Sequence, residues 1–249
     1  MVFVAPLSTF EVSMNRALAL VFVVFCFVAT LPLGDVLAKE SREDTRALCQ
    51  IHCLGNVSEE LSRVSISVTH GPHIDELQET SLIAQLHART PAVDVLRLLA
   101  DRLERAGALV TRPEDGSSSL FVEGVFSVRI EDIVGIETAI TFCDRPLGMM
   151  SLKRVRPSAV AGKLSMKALL VDSDGDSREF RTFGVGVTGS DTGHTVCERF
   201  YEASLAEGWL PFRAQTDQWS PNRRKDSKAM ESTEISLNAE GWALLLTSG

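Results

Sequence analysis

Positive charge is in short supply: 25 lysines and arginines stand against 33 aspartates and glutamates in 249 residues, a formal net charge of -8. A phosphate backbone repels such a chain, so nucleic acid is not expected as a partner. Glycine (17) and proline (9) are too few for a collagen-like or disordered chain, and the 45% hydrophobic content fits one or two globular domains. The usual carriers of catalysis are also missing. There is no Gly-x-Ser-x-Gly elbow, no Ser-x-x-Lys pair in a plausible context, no His-Glu-x-x-His helix and no glycine loop placed to cradle a phosphate.

One long apolar run is present, Ala17 to Leu33. Arg16 precedes it, Pro32 and Gly34 break it, and Val36-Leu37-Ala38 supplies the small residues that signal peptidase requires. Residues 1–38 therefore read as a cleavable signal peptide, and Met14 gives a cleaner start than Met1 because Glu11 lies where a basic leader segment belongs. The rival reading anchors the chain in the inner membrane through residues 17–33. Cleavage after Ala38 places residues 39–249 in the periplasm or outside the cell, where four cysteines remain: Cys49, Cys53, Cys143 and Cys197. An even number in an oxidising compartment suggests bridging, and the expected pairs are Cys49 with Cys53 on a short helix from Thr45 to Leu54, and Cys143 with Cys197.

Residues 39–62 read as a mobile lead-in ending in that short helix. Arg63 to Thr69 alternates apolar and polar residues at the period of a half-buried strand. Ile74 to His87 reads as helical, with Leu77, Leu82, Ile83 and Leu86 inward. Thr90-Pro91 opens an amphipathic helix with Val95, Leu96, Leu99 and Leu103 on one face and Gly107 as its stop. Ala108 to Arg112, Leu120 to Ile130 and Ile136 to Phe142 read as extended. Leu164 to Val171 and Arg178 to Val187 flank an Asp-Gly turn and form a hairpin. A second helix begins near Thr195, carries Cys197, Phe200, Tyr201 and Leu205 on one face and stops at Gly208; Trp209 to Gln215 is extended and Ser220 to Lys228 is a polar loop. Thr233 to Leu237 and Trp242 to Thr247 form a closing hairpin.

The end of each helix, its glycine and the strand after it resemble one another (Leu103 to Arg112, Leu205 to Arg213). The expected architecture is α+β: two small antiparallel sheets, each covered by an amphipathic helix, as a pseudo-repeat of residues 63–145 and 162–249 joined by a linker at 146–161.

Four clusters invite chemistry. Asp191-Thr192-Gly193 matches the tripeptide that carries the aspartic-protease carboxylate, but those enzymes need two such carboxylates and this copy leads into a helix, so a loop at a helix N-terminus, with Asp191 favoured by the positive end of the helix dipole, is the expectation. Asp172, Asp174 and Asp176 alternate as calcium ligands do, although Gly175 and Phe183 fall where the helix-loop-helix pattern requires other residues. His70-Gly-Pro-His73 with Asp75 and Glu76 offers zinc ligand types without a second ligand pair, and Cys49-Gln-Ile-His-Cys53 lacks one too. No metal, haem or organic cofactor is expected. Basic clusters at Lys153, Arg154, Arg156, Lys163 and Lys167 and at Arg223 to Lys225 could meet anionic headgroups or an acidic partner. The functional expectation is an exported, non-enzymatic module that binds another envelope protein or envelope component. The alternative is a hydrolase using Asp191 or a metal held by the acidic turn.

Overall fold

A computed structural model describes residues 48–58, 62–112, 117–131, 133–143, 147–172, 175, 177–215, 218–224 and 228–249. The signal segment, the start at Met14 and the lead-in up to residue 47 lie outside the described residues. So do Asp174 and Asp176.

The described chain is mostly β. Its strands are β1 (Leu48–Gly55), β2 (Ser62–His70), β3 (Gln78–Leu86), β4 (Val110–Thr111), β5 (Ser119–Glu123), β6 (Val125–Glu131), β7 (Ile136–Cys143), β8 (Leu147–Arg154), β9 (Gly162–Val171), β10 (Arg178–Val187), β11 (Trp209–Gln215), β12 (Gln218–Arg224), β13 (Ala229–Asn238) and β14 (Trp242–Ser248). Two helices, α1 (Ala92–Arg105) and α2 (Gly193–Ala206), complete the described elements with one short 3-10 turn at Ile74–Glu76. The strands form two antiparallel seven-stranded sheets, ordered β10-β9-β13-β7-β1-β5-β4 and β11-β12-β8-β14-β6-β2-β3. Alternation along each strand buries one face, as in β2, where Val64, Ile66 and Val68 are fully buried. The inward faces of both sheets merge in one hydrophobic core.

This corrects the expected α+β architecture with a helix lying over each sheet. Each helix instead packs against strands of both sheets: α1 meets β3 of one and β1, β4 and β5 of the other, and α2 meets β10 of one and β8, β11 and β12 of the other. The apolar stripe of α1 (Val95, Leu96, Leu99, Leu103) is wholly buried there. The helices close the sandwich where the sheets end.

Five local expectations change with it. Residues 48–55 are a strand, not the end of a helix, because β1 is paired on both sides, by β5 and β7. The helix expected over Ile74 to His87 is replaced by β3. Thr80, Leu82 and Leu86 alternate inward along an unbroken nine-residue register with β2, and Ile83 points out, 57% exposed. The loop expected from Ser220 is β12, and β13 and β14 are not a hairpin pair, since they lie in different sheets. Leu147–Arg154 is β8, hydrogen-bonded between β12 and β14.

The topology repeats with exchange of sheets. Adding seven to each strand number in the first half turns the first sheet's order into the second sheet's order read backwards. The registers match as well: Met166, Ile235, Ile140 and Ile51 form one buried row, and Ile66, Ile130, Leu244 and Leu152 form its counterpart. Both helices end at a glycine with φ +84, Gly107 and Gly208, a left-handed conformation that side chains with a Cβ resist. Each half thus sends four strands to one sheet and three to the other.

Candidate functional site

Asp191 sits where the chain leaves β10 for α2. Burial pushes its pKa upward, but the Thr188 N–H, which donates to Oδ2 at 2.7 Å, and the Arg199 guanidinium outweigh burial and hold the carboxyl below the ordinary range. Thr192 caps α2, three residues before the expected start at Thr195: its Oγ1 accepts from the Thr195 N–H at 3.2 Å. A carboxylate held by a backbone N–H and an arginine is occupied in closing a loop. Asp191→Asn is expected to lower stability by about 1 kcal/mol at pH 7 through the lost charge-assisted bond. Because the folded pKa lies below the unfolded one, this contribution is complete above about pH 4 and is lost as pH falls through the folded value. Thermal unfolding of both proteins at pH 7 and pH 3 checks this, with the difference expected to shrink at pH 3.

In the acidic turn, Asp172 lies within 3.4 Å of Lys228, whose Nζ also donates to Glu179 at 3.0 Å. His70 and His73 do not converge. His70 is buried, with Nε2 3.0 Å from Thr80 Oγ1, and burial lowers its pKa, whereas His73 is exposed. In Cys49-Gln-Ile-His-Cys53, strand alternation turns both sulfurs into the core and His52 to the outer face, where its Nδ1 lies 2.9 Å from Ser119 Oγ. Among the described residues no three metal-ligating side chains cluster.

None of the four cysteines is in a disulfide. Cys49 and Cys53 are about 13 Å apart along a strand, beyond the roughly 7 Å that a bridge spans. Cys143 faces outward beside Leu48 and Ser232, while Cys197 points into the core from α2, so these two occupy different layers. Burial pushes the Cys53 thiol up to about 12, against a hydrogen bond with Thr138, and burial and the neighbouring Cys143 raise Cys49 further. Such thiols stay protonated and unreactive at neutral pH.

The basic residues spread over both outer faces: Lys153 on β8 lines a shallow depression of about 170 Å³ with Arg129, Ser151, Ala243 and Leu245, while Lys167 on β9 lies over the Phe180 ring. The side chains of Arg223 to Lys225 lie outside the description.

Among the described strands the sheets end in four edges, and these differ in kind. β4 is two residues long. β11 carries Pro211 and two register shifts against β12. Both are blunted in the ways that discourage strand addition. β3 and β10 run nine and ten residues without proline, each in continuous register with its one neighbour. They are equivalent in the repeat, and each exposes a large apolar side chain, Ile83 at 57% and Phe180 at 61%. Sequence reasoning missed β3 because Leu82, Ile83 and Leu86 also fit a helical stripe. The alternation of Thr80, Leu82 and Leu86 was the signal available.

No protein-family profile matches the chain, and no curated protein is significantly similar to it. A solved structure, the flagellar cap protein FliD from Helicobacter pylori, is similar at 10% identity and a TM-score of 0.21, over 76% of this chain and 50% of that one. This chain therefore spans about half the length of that protein, and so loose a likeness carries no argument about fold or function. Among the described residues no helix is long and apolar enough to cross a membrane.

Proposed function

We propose that the chain is an exported protein of the bacterial envelope that works by binding, not by catalysis, and that its binding elements are the open edges of its two sheets. The observation that carries this reading is the contrast among the edges. Two are blunted, and two are long, regular and free of proline. An exposed edge presents a row of unpaired N–H and C=O groups to which an extended segment of another protein adds as a further strand, with alternate side chains setting specificity. Engagement of Asp191 with Thr188 and Arg199 supports binding over hydrolysis.

Photocrosslinking residues placed at Ile83, at Phe180 and at the exposed, non-edge Leu54 of β1 test the reading in the native cell. Adducts to envelope components, a second copy of the chain included, are expected at the two edge positions and not at Leu54. Equal labelling at all three positions, or recovery of the native chain from the cytosol, overturns it.

A further inference from the structure

The outer side of β10 closes a seven-stranded sheet, and among the described strands only β9 pairs with it. Side chains alternate along it: Phe183 and Val187 point into the core, and Arg178, Phe180 and Thr182 point outward. Phe180 lies under the Lys167 ammonium, 4.5 Å from the ring centroid. On the other face Glu179 and Arg181 bracket Phe180, joined to each other at 2.7 Å. Among the described residues the buried Arg181 Nε has no hydrogen-bond partner.

We propose that β10 pairs antiparallel with β10 of a second copy, across a two-fold axis through Phe180, so that two seven-stranded sheets become one. The proposal rests on the open-edge reading above and names the occupant of one edge. In an antiparallel pair, opposing residues share a face, so a two-fold axis normal to the sheet passes through a residue, and permitted registers differ by one residue in the position of that axis. An axis at Glu179 opposes two glutamates, and one at Arg181 opposes two arginines. An axis at Thr182 sets Glu179 against Val185 and Arg181 against Phe183. An axis at Phe180 sets Glu179 against Arg181 of the second copy twice and stacks Phe180 on itself, matching charge and aromatic surface together. The segment Arg178-Glu-Phe-Arg-Thr182 is thus self-complementary about its centre. β3, its equivalent in the repeat, has Glu79 as its one charged residue and carries no such match.

Sedimentation velocity of the chain as recovered from the cell, at rising concentration and at low and high salt, tests the proposal together with two variants. Glu179→Arg and Arg181→Glu each place like charges across the axis. Each is expected to weaken the dimer about tenfold or more on its own, while an equimolar mixture restores dimer as a heterodimer. The wild-type dimer is expected to weaken as salt rises. Matching thermal unfolding of the two variants shows that both are folded. Monomer at every concentration, or variants that do not complement each other, overturns the proposal. If adducts to other proteins nevertheless form at Ile83 and Phe180 in the cell, the open-edge reading stands and the self-pairing falls.

Discussion

Replacing Leu99 with alanine is expected to destabilise the whole chain by about 2–5 kcal/mol, and tryptophans that all lie in the opposite half of the sequence will register the full loss. Leu99 is fully buried on α1, a helix that packs against strands of both sheets, so truncation leaves a cavity that its surroundings fill only in part. Trp209, Trp219 and Trp242 belong to β11, β12 and β14 and are likewise buried. If each half were an independent unit, their fluorescence would be blind to α1. The interleaved order, in which each sheet takes strands from both halves, makes unfolding one cooperative transition. Urea unfolding followed by tryptophan fluorescence and by far-ultraviolet circular dichroism decides this. Both probes should shift to the same new midpoint, while Leu98→Ala, on the exposed side of the same helix, should move neither by more than about 0.5 kcal/mol. A fluorescence midpoint unchanged in Leu99→Ala would show two separable domains.

The second large effect is expected at the other end of the sandwich. Phe200 on α2 is fully buried, with its ring 4.8 Å from that of Phe183 on β10 and 4.9 Å from that of Trp219 on β12, the latter edge-to-face. Phe183 in turn lies 6.4 Å from Trp209. One side chain therefore joins the two sheets and the helix that plugs them. Phe200→Ala is expected to cost about 3–5 kcal/mol and to flatten the near-ultraviolet dichroism of the tryptophans. Phe200→Leu, which retains most of the volume, should cost markedly less. A loss below about 1 kcal/mol in the alanine variant would mean that α2 is not part of the core.

Much of the local structure was legible in the residues. The hairpin of β9 and β10 followed from alternation around an Asp-Gly turn, and α1 from its apolar stripe and glycine stop, because both signals are short-range. The helix begins one residue later than Thr90-Pro91 suggested, at Ala92, with Pro91 as its cap residue. Errors gathered where short apolar runs fit two periods. Leu82, Ile83 and Leu86 satisfy a helical face as well as a strand, and pairing with β2 chose the strand. Polar content hid β12, since Ser220 to Lys228 reads as a loop until Gln218–Arg224 is seen paired with β8 and β11. Of the candidate residues, Asp191 was placed correctly at a loop before a helix, while its partner Arg199, eight residues on, depends on the start of α2 and could not be read from the tripeptide.

By itself the sequence determined the two amphipathic helices, most strands, their glycine stops and the likeness between the two helix ends, since each depends on neighbours within a turn or a hairpin. Tertiary structure alone decided that the halves trade strands, that the helices wedge between sheets instead of lying over them, and that β3 and β10 end up as edges among the described strands. Those outcomes depend on which distant strands hydrogen-bond to one another, and backbone N–H and C=O groups, identical at every residue but proline, write no such choice into a local pattern.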